Sequence, residues 1–128
     1  MKRVYLTISL FVMMILSIGH TTAFAADWYY VGEYANGNGS VYIDNASVIK
    51  GSQRAIVWVK YAYTDGSMDL QRHSYTHSPK TVTLLSYVSY DSDGNVTASF
   101  DAPPDMWESS PIVPGSVGEA IWYCIWSY

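Results

Sequence analysis

Three short turn motifs constrain this chain more than anything else in it. Asn36-Gly37-Asn38-Gly39, Thr64-Asp65-Gly66-Ser67 and Asp91-Ser92-Asp93-Gly94-Asn95 each separate two stretches rich in β-branched and aromatic residues. Asn, Asp and Gly accept the positive φ that tight hairpins need. A chain punctuated in this way pairs its neighbouring strands antiparallel. The strands this predicts are residues 28–34, 40–44, 54–63, 68–76, 81–90 and 96–100. The strand over 54–63 is apolar on both sides, with Val57, Val59, Tyr61 and Tyr63 on one and Ile56, Trp58 and Ala62 on the other. That places it in the middle of the sheet. Residues 44–50, closed by Gly51, read as one helical turn or a tight bend, capped by Asp44 or Asn45.

The end of the chain changes period. Residues 102–114 carry four of the five prolines, so they form an irregular connection. Ser116 and Glu119 then stand at capping-box spacing. Val117, Ala120, Ile121, Cys124 and Tyr128 follow at helical spacing, which predicts a helix over 117–126. Six strands followed by one helix predict an α+β fold, an antiparallel sheet of about six strands packed with one C-terminal helix.

The first residues read differently. Lys2 and Arg3 precede an apolar run, then a polar step and Ala23-Phe24-Ala25. This is the pattern of a secretory signal peptide over residues 1–25, which leaves a domain over 26–128. The apolar run is short for a membrane span. The expected location is the periplasm, the cell surface or the medium. The whole chain carries a formal charge of −4. Loss of Lys2 and Arg3 makes the exported part more acidic. Such a charge argues against a nucleic-acid partner, which calls for a clustered basic face.

Several segments share an order and a spacing. They are Trp28-Tyr29-Tyr30-Val31-Gly32, the run from Val41-Tyr42-Ile43-Asp44-Asn45 to Ile49-Lys50, and Val57-Trp58-Val59-Lys60-Tyr61. Tyr90-Asp91-Ser92-Asp93-Gly94-Asn95, Pro111-Ile112-Val113-Pro114-Gly115-Ser116 and the last helix follow. Together they resemble the surface-adhesin protein E family of bacterial exported proteins. The resemblance implies a small antiparallel sheet flanked by a helix. It also implies a surface protein that binds host matrix or serum proteins. Members of that family usually carry a cysteine before the Tyr-Asp-x-x-Gly strand, paired with one in the last helix. Here residues 73–80 contain none, and Cys124 is the single cysteine. No cysteine stands near Ala26 to carry a lipid. A periplasmic or secreted structural or accessory protein of the same fold is the alternative role.

Chemistry-bearing residues are sparse. No nucleophile, base and orienting group stand together, so the sequence does not read as an enzyme. His73 and His77 lie four apart on a strand, roughly 13 Å along it, too far to share a metal ion. Both are expected on the surface. No cofactor or metal is implied. The abundant tyrosines suggest a contact surface for a sugar or a protein partner, with Tyr61, Tyr63, Tyr75, Tyr87 and Tyr90 on one sheet face. The same rings also suit plain cross-strand packing. Trp122 and Trp126 widen the apolar side of the last helix and suggest a docking partner or a homodimer. Trp58 and Trp107 are expected in the core, as is the Cys124 thiol.

The leader makes one direct prediction. Intact-mass measurement on the exported protein is expected to show a chain beginning at Ala26. A mass that retains residues 1–25 contradicts it.

Overall fold

A computed structural model describes residues 26–34 and 36–127. The leader over 1–25 and Tyr128 lie outside the described residues. The strands are β1 (Trp28–Tyr34), β2 (Gly39–Asp44), β3 (Ile49–Lys50), β4 (Arg54–Tyr63), β5 (Met68–Thr76), β6 (Thr81–Tyr90), β7 (Val96–Asp101) and β8 (Ser110–Pro111). One helix, α1 (Val117–Trp126), follows. All strands belong to one antiparallel sheet in the order β1-β2-β4-β5-β6-β7. β3 adds to β4 and β8 adds to β6. The expected α+β fold is present, with two short strands beyond the six expected.

The turns form as their residues dictate. Asp65 Oδ1 accepts the amide of Ser67 at 2.8 Å. Asp91 Oδ1 accepts the amides of Asp93 and Asn95 at 3.0 and 2.9 Å. Gly66 and Gly94 take the positive φ that closes each hairpin. Gly39 answers a different need. A Cβ there would stand 2.9 Å from the carbonyl oxygen of Ala62.

The two extra strands arise because both neighbours of the central β4-β5-β6 hairpins are interrupted. Ile43 pairs with Val59 and Ile49 with Ile56, so β2 and β3 lie along the same edge of β4. Between them the chain makes a turn of 3₁₀ helix, Asn45–Ser47. Asp44 caps it by accepting the amide of Ala46, and it also accepts the amide of Asp27. Opposite this turn, Ser47 Oγ accepts the Trp58 amide at 3.3 Å. Likewise β7 and β8 share the outer edge of β6. The segment 102–109 bridges them, tied down by Ala102 N to Leu85 O at 2.9 Å. Thr83 Oγ1 and Ser109 Oγ meet at 3.0 Å.

α1 covers one sheet face. Ile121 and Ile125 pack with Val41, Ile43, Val57, Val59 and Tyr75. Burying Ile121 and Ile125 contributes about 2 kcal/mol each. Ser116 caps the helix by accepting the amide of Glu119 at 3.2 Å. The Glu119 carboxylate reaches back to the amide of Gly115, one residue earlier than a strict capping box requires. Ser116→Ala is therefore expected to cost about 1 kcal/mol in denaturant unfolding, and Ser116→Asp to be near neutral. Equal stability of both variants and the parent would mean that the cap is dispensable.

His73 departs from the surface position expected of it. It stands opposite Val57 on β5 and is buried at 7% exposure. Its Nε2 meets Gln71 Oε1 at 2.8 Å and its Nδ1 meets the Tyr75 hydroxyl at 2.9 Å. An amide oxygen only accepts, so Nε2 carries the proton and Nδ1 accepts from Tyr75. This pattern satisfies the neutral ring. Burial lowers its pKa to about 4. In the unfolded chain the value returns to about 6.5. Between the two the unfolded state binds more protons, so stability rises with pH there. The contribution is complete above about pH 6.5 and falls by about 3 kcal/mol as the pH drops to 4. His73→Gln is expected to flatten that part of the stability curve, measured by thermal unfolding from pH 4 to 7. An unchanged slope would place the titration elsewhere.

Candidate contact surfaces

The residues expected to make contacts divide into three groups. Tyr61 and Tyr63 lie on the helix side of β4, beyond the part that α1 covers. Tyr34 joins them from β1. Its ring centroid lies 5.3 Å from that of Tyr61 and 6.1 Å from that of Tyr63, both edge to face. The Tyr63 hydroxyl donates to Asp69 Oδ2 at 2.8 Å. Burial above all, then the neighbouring Tyr34 and the Asp69 charge, push the Tyr61 hydroxyl up to about 12. Burial and the hydrogen bond to Asp69 raise that of Tyr63. Both hydroxyls stay protonated as donors at any ordinary pH. Tyr34 is 39% exposed, and Tyr61 and Tyr63 are half-buried. This is a tyrosine cluster with one rim in water.

Tyr75 does not join them. It is fully buried, with its hydroxyl committed to His73. The expectation that it presents a contact is corrected by its register. It pairs with Ala55 and Val82, beneath the helix, and not at the open end of the sheet. Tyr87 sits farther out, against Phe100 with ring centroids 6.0 Å apart.

Trp122 is also buried, and its indole N–H donates to the Thr76 carbonyl at 3.1 Å. Trp126 is half-buried. His77 stacks on Trp122 at 5.3 Å and meets Trp126 edge-on at the same distance. The Lys80 ammonium lies 4.2 Å from the centre of the Trp122 ring. These rings therefore hold the helix to the sheet. The β5–β6 connection covers Trp122 through His77 and Lys80, and His77 also meets Trp126. Tyr123 is the aromatic residue that α1 exposes. The Cys124 thiol is half-buried, and burial raises its pKa. It is a poor nucleophile at neutral pH.

The opposite sheet face holds what sequence reasoning missed. Trp58 and Trp107, expected in the core, lie there instead. Trp58 is half-buried and Trp107 is 41% exposed. Trp107 lies over the sheet in segment 102–109 and donates its N–H to the Ala102 carbonyl at 2.8 Å. Trp58 stands on the floor of a groove of about 620 Å³, together with Arg72, Ser86 and Asp101. At the β1 edge the Lys60 ammonium sits 4.4 Å from the Trp28 ring centre and 4.7 Å from that of Tyr42. The alternation of β4 puts Trp58 on the side away from Val57 and Val59. Which face the helix would cover was not legible there.

Among the described residues no group of His, Cys, Asp and Glu could hold a metal ion, and no helix is long and apolar enough to cross a membrane. No curated protein and no solved structure matches the chain. A family model described as surface-adhesin protein E matches residues 28–125, from the first residue of β1 to the last turn of α1. The chain belongs to the surface-adhesin protein E family, a family of surface adhesins.

Proposed function

We propose that this chain is an exported, non-catalytic adhesion module that holds a protein partner at the uncovered end of its helix-side face. The family suggests a surface adhesin, and host matrix or serum proteins are the partner class of this proposal. The observation that carries the reading is the cluster of Tyr34, Tyr61 and Tyr63 around Asp69. Tyrosine offers a large rigid surface with few rotatable bonds and a donor at its tip. The rings already support one another, so little freedom is lost on contact. Asp69 adds a charged acceptor to hydroxyls that can both donate and accept.

A periplasmic or secreted accessory role is the second reading. It is favoured by the position of the single cysteine, Cys124, far from the expected start of the exported chain. Labelling of intact cells against periplasmic release separates the two.

The contact itself is tested with the exported protein on immobilised matrix and serum proteins. A partner held through the cluster is expected to lose about 2 kcal/mol, roughly thirtyfold in Kd, on Tyr63→Ala or Tyr34→Ala. Thermal unfolding checks that each variant is folded. Retained affinity in both folded variants, or no binding to any protein of the panel, counts against the reading.

A further inference from the structure

On the face away from α1, one row of paired residues crosses four strands. Trp58 pairs with Arg72, Arg72 with Ser86, and Ser86 with Asp101. Directly paired residues point to the same side of a sheet. Neighbouring strands lie about 4.8 Å apart, so the Arg72 and Asp101 backbones are about 10 Å apart with Ser86 between them. The 620 Å³ groove lies along this row, and Ile49 and Ile56 form its apolar wall at the Trp58 end. Its volume is that of a small-molecule site.

Two charges in this groove are unspent. Arg72 is half-buried, yet its guanidinium has no hydrogen bond or ion pair with any described residue. The Asp101 side chain, which is exposed, has no partner among the described residues either. A guanidinium offers five donors in a planar fork that matches a carboxylate. Asp101 only accepts. A ligand that satisfies both carries a carboxylate and, next to it, a donor. Trp58, Ile49 and Ile56 call for an apolar body on the other side. A dianion or a polyphosphate suits the groove badly, because Asp101 and the net negative charge of the chain repel it.

We propose that this groove binds an amphipathic monocarboxylate: an anionic head on Arg72, an adjacent N–H on Asp101, and an apolar body against Trp58 and Ile56. A free N-acyl amino acid and the C-terminal residue of a peptide share this chemistry. The proposal does not depend on the tyrosine contact, which lies on the opposite face.

The test is a nuclear magnetic resonance titration of the purified protein, followed at the Trp58 indole N–H and the Arg72 side chain. The probes are N-acetyl-leucine, N-acetyl-leucinamide, succinate and the peptide Ala-Ala-Ala-Ala-Leu. N-acetyl-leucine is expected to bind with shifts confined to the groove. The amide, which lacks the charge, and succinate, which lacks the apolar body, are expected to bind about tenfold more weakly or not at all. Arg72→Gln is expected to weaken N-acetyl-leucine by a similar factor. A pentapeptide tighter than N-acetyl-leucine identifies a peptide terminus as the source, and a weaker one identifies a free acid. Equal binding of acid and amide, shifts outside the groove, or no shift at 20-fold excess of each probe at millimolar protein overturns the proposal. The comparison of probes needs no variant, so it decides the matter even if Arg72→Gln fails to fold.

Discussion

The indole of Trp122 donates its N–H to the carbonyl of Thr76, where β5 ends, and so ties the last element of the chain to the middle of the sheet. Around that bond the ring is held on several sides. His77 stacks on it, Lys80 stands over it and Trp126 packs beside it. Magnitudes show which part matters. The Lys80–Glu119 pair, at 4.0 Å and partly exposed, is worth at most about 1 kcal/mol. Each cation–π contact adds about 0.5–1 kcal/mol. Burial of the indole with Ile121 and Ile125 removes far more apolar surface from water and dominates. The resemblance to the adhesin family implies a cysteine in residues 73–80 as partner for the one in the helix. In this chain His77 and Lys80 of that same stretch grip the helix without a covalent bond.

Closing one face in this way settles the form of the other. β4, β5 and β6 are long and continuous, and their outer neighbours are both interrupted. At each interruption the chain leaves the ladder and returns, and side chains or backbone take up the groups left open. Ser47 serves the Trp58 amide on one side, and Ala102 serves the Leu85 carbonyl on the other. On one side the turn before β3 contributes Ser47 to the wall of the groove, and on the other β7 contributes Ser99, Phe100 and Asp101. Segment 102–109 lies against a different part of the sheet, beside Thr83 and Leu85.

Much of this was legible in the residues themselves. The three turns carry Asn, Asp and Gly at positions that need them, so the strand order followed. The capping serine and the change from period two to period 3.6 located α1 to the residue. The interruptions were harder. Ile49-Lys50 and Ser110-Pro111 are too short to show any period, and only pairing with a long neighbour makes them strands. His73 misled because polarity was read from composition. Its two hydrogen bonds come from Gln71 and Tyr75, the alternate residues of the same strand, and these let a histidine be buried at low cost.

The tryptophans show why site placement lagged behind the fold. A strand apolar on both sides belongs in the middle of a sheet, and β4 does. Its period tells which residues share a side, but both sides look alike. One helix of ten residues covers only one of them. The Val57 side received it, because Val41, Ile43 and Tyr75 extend that side into a continuous apolar layer across β2 and β5. On the Trp58 side the same strands contribute Tyr42, Lys60 and Arg72, and a helix there would have to desolvate two cations. Of these two cations, Arg72 lines the groove. Lys60 is already held by Trp28 and Tyr42, whereas the Arg72 guanidinium has no partner among the described residues.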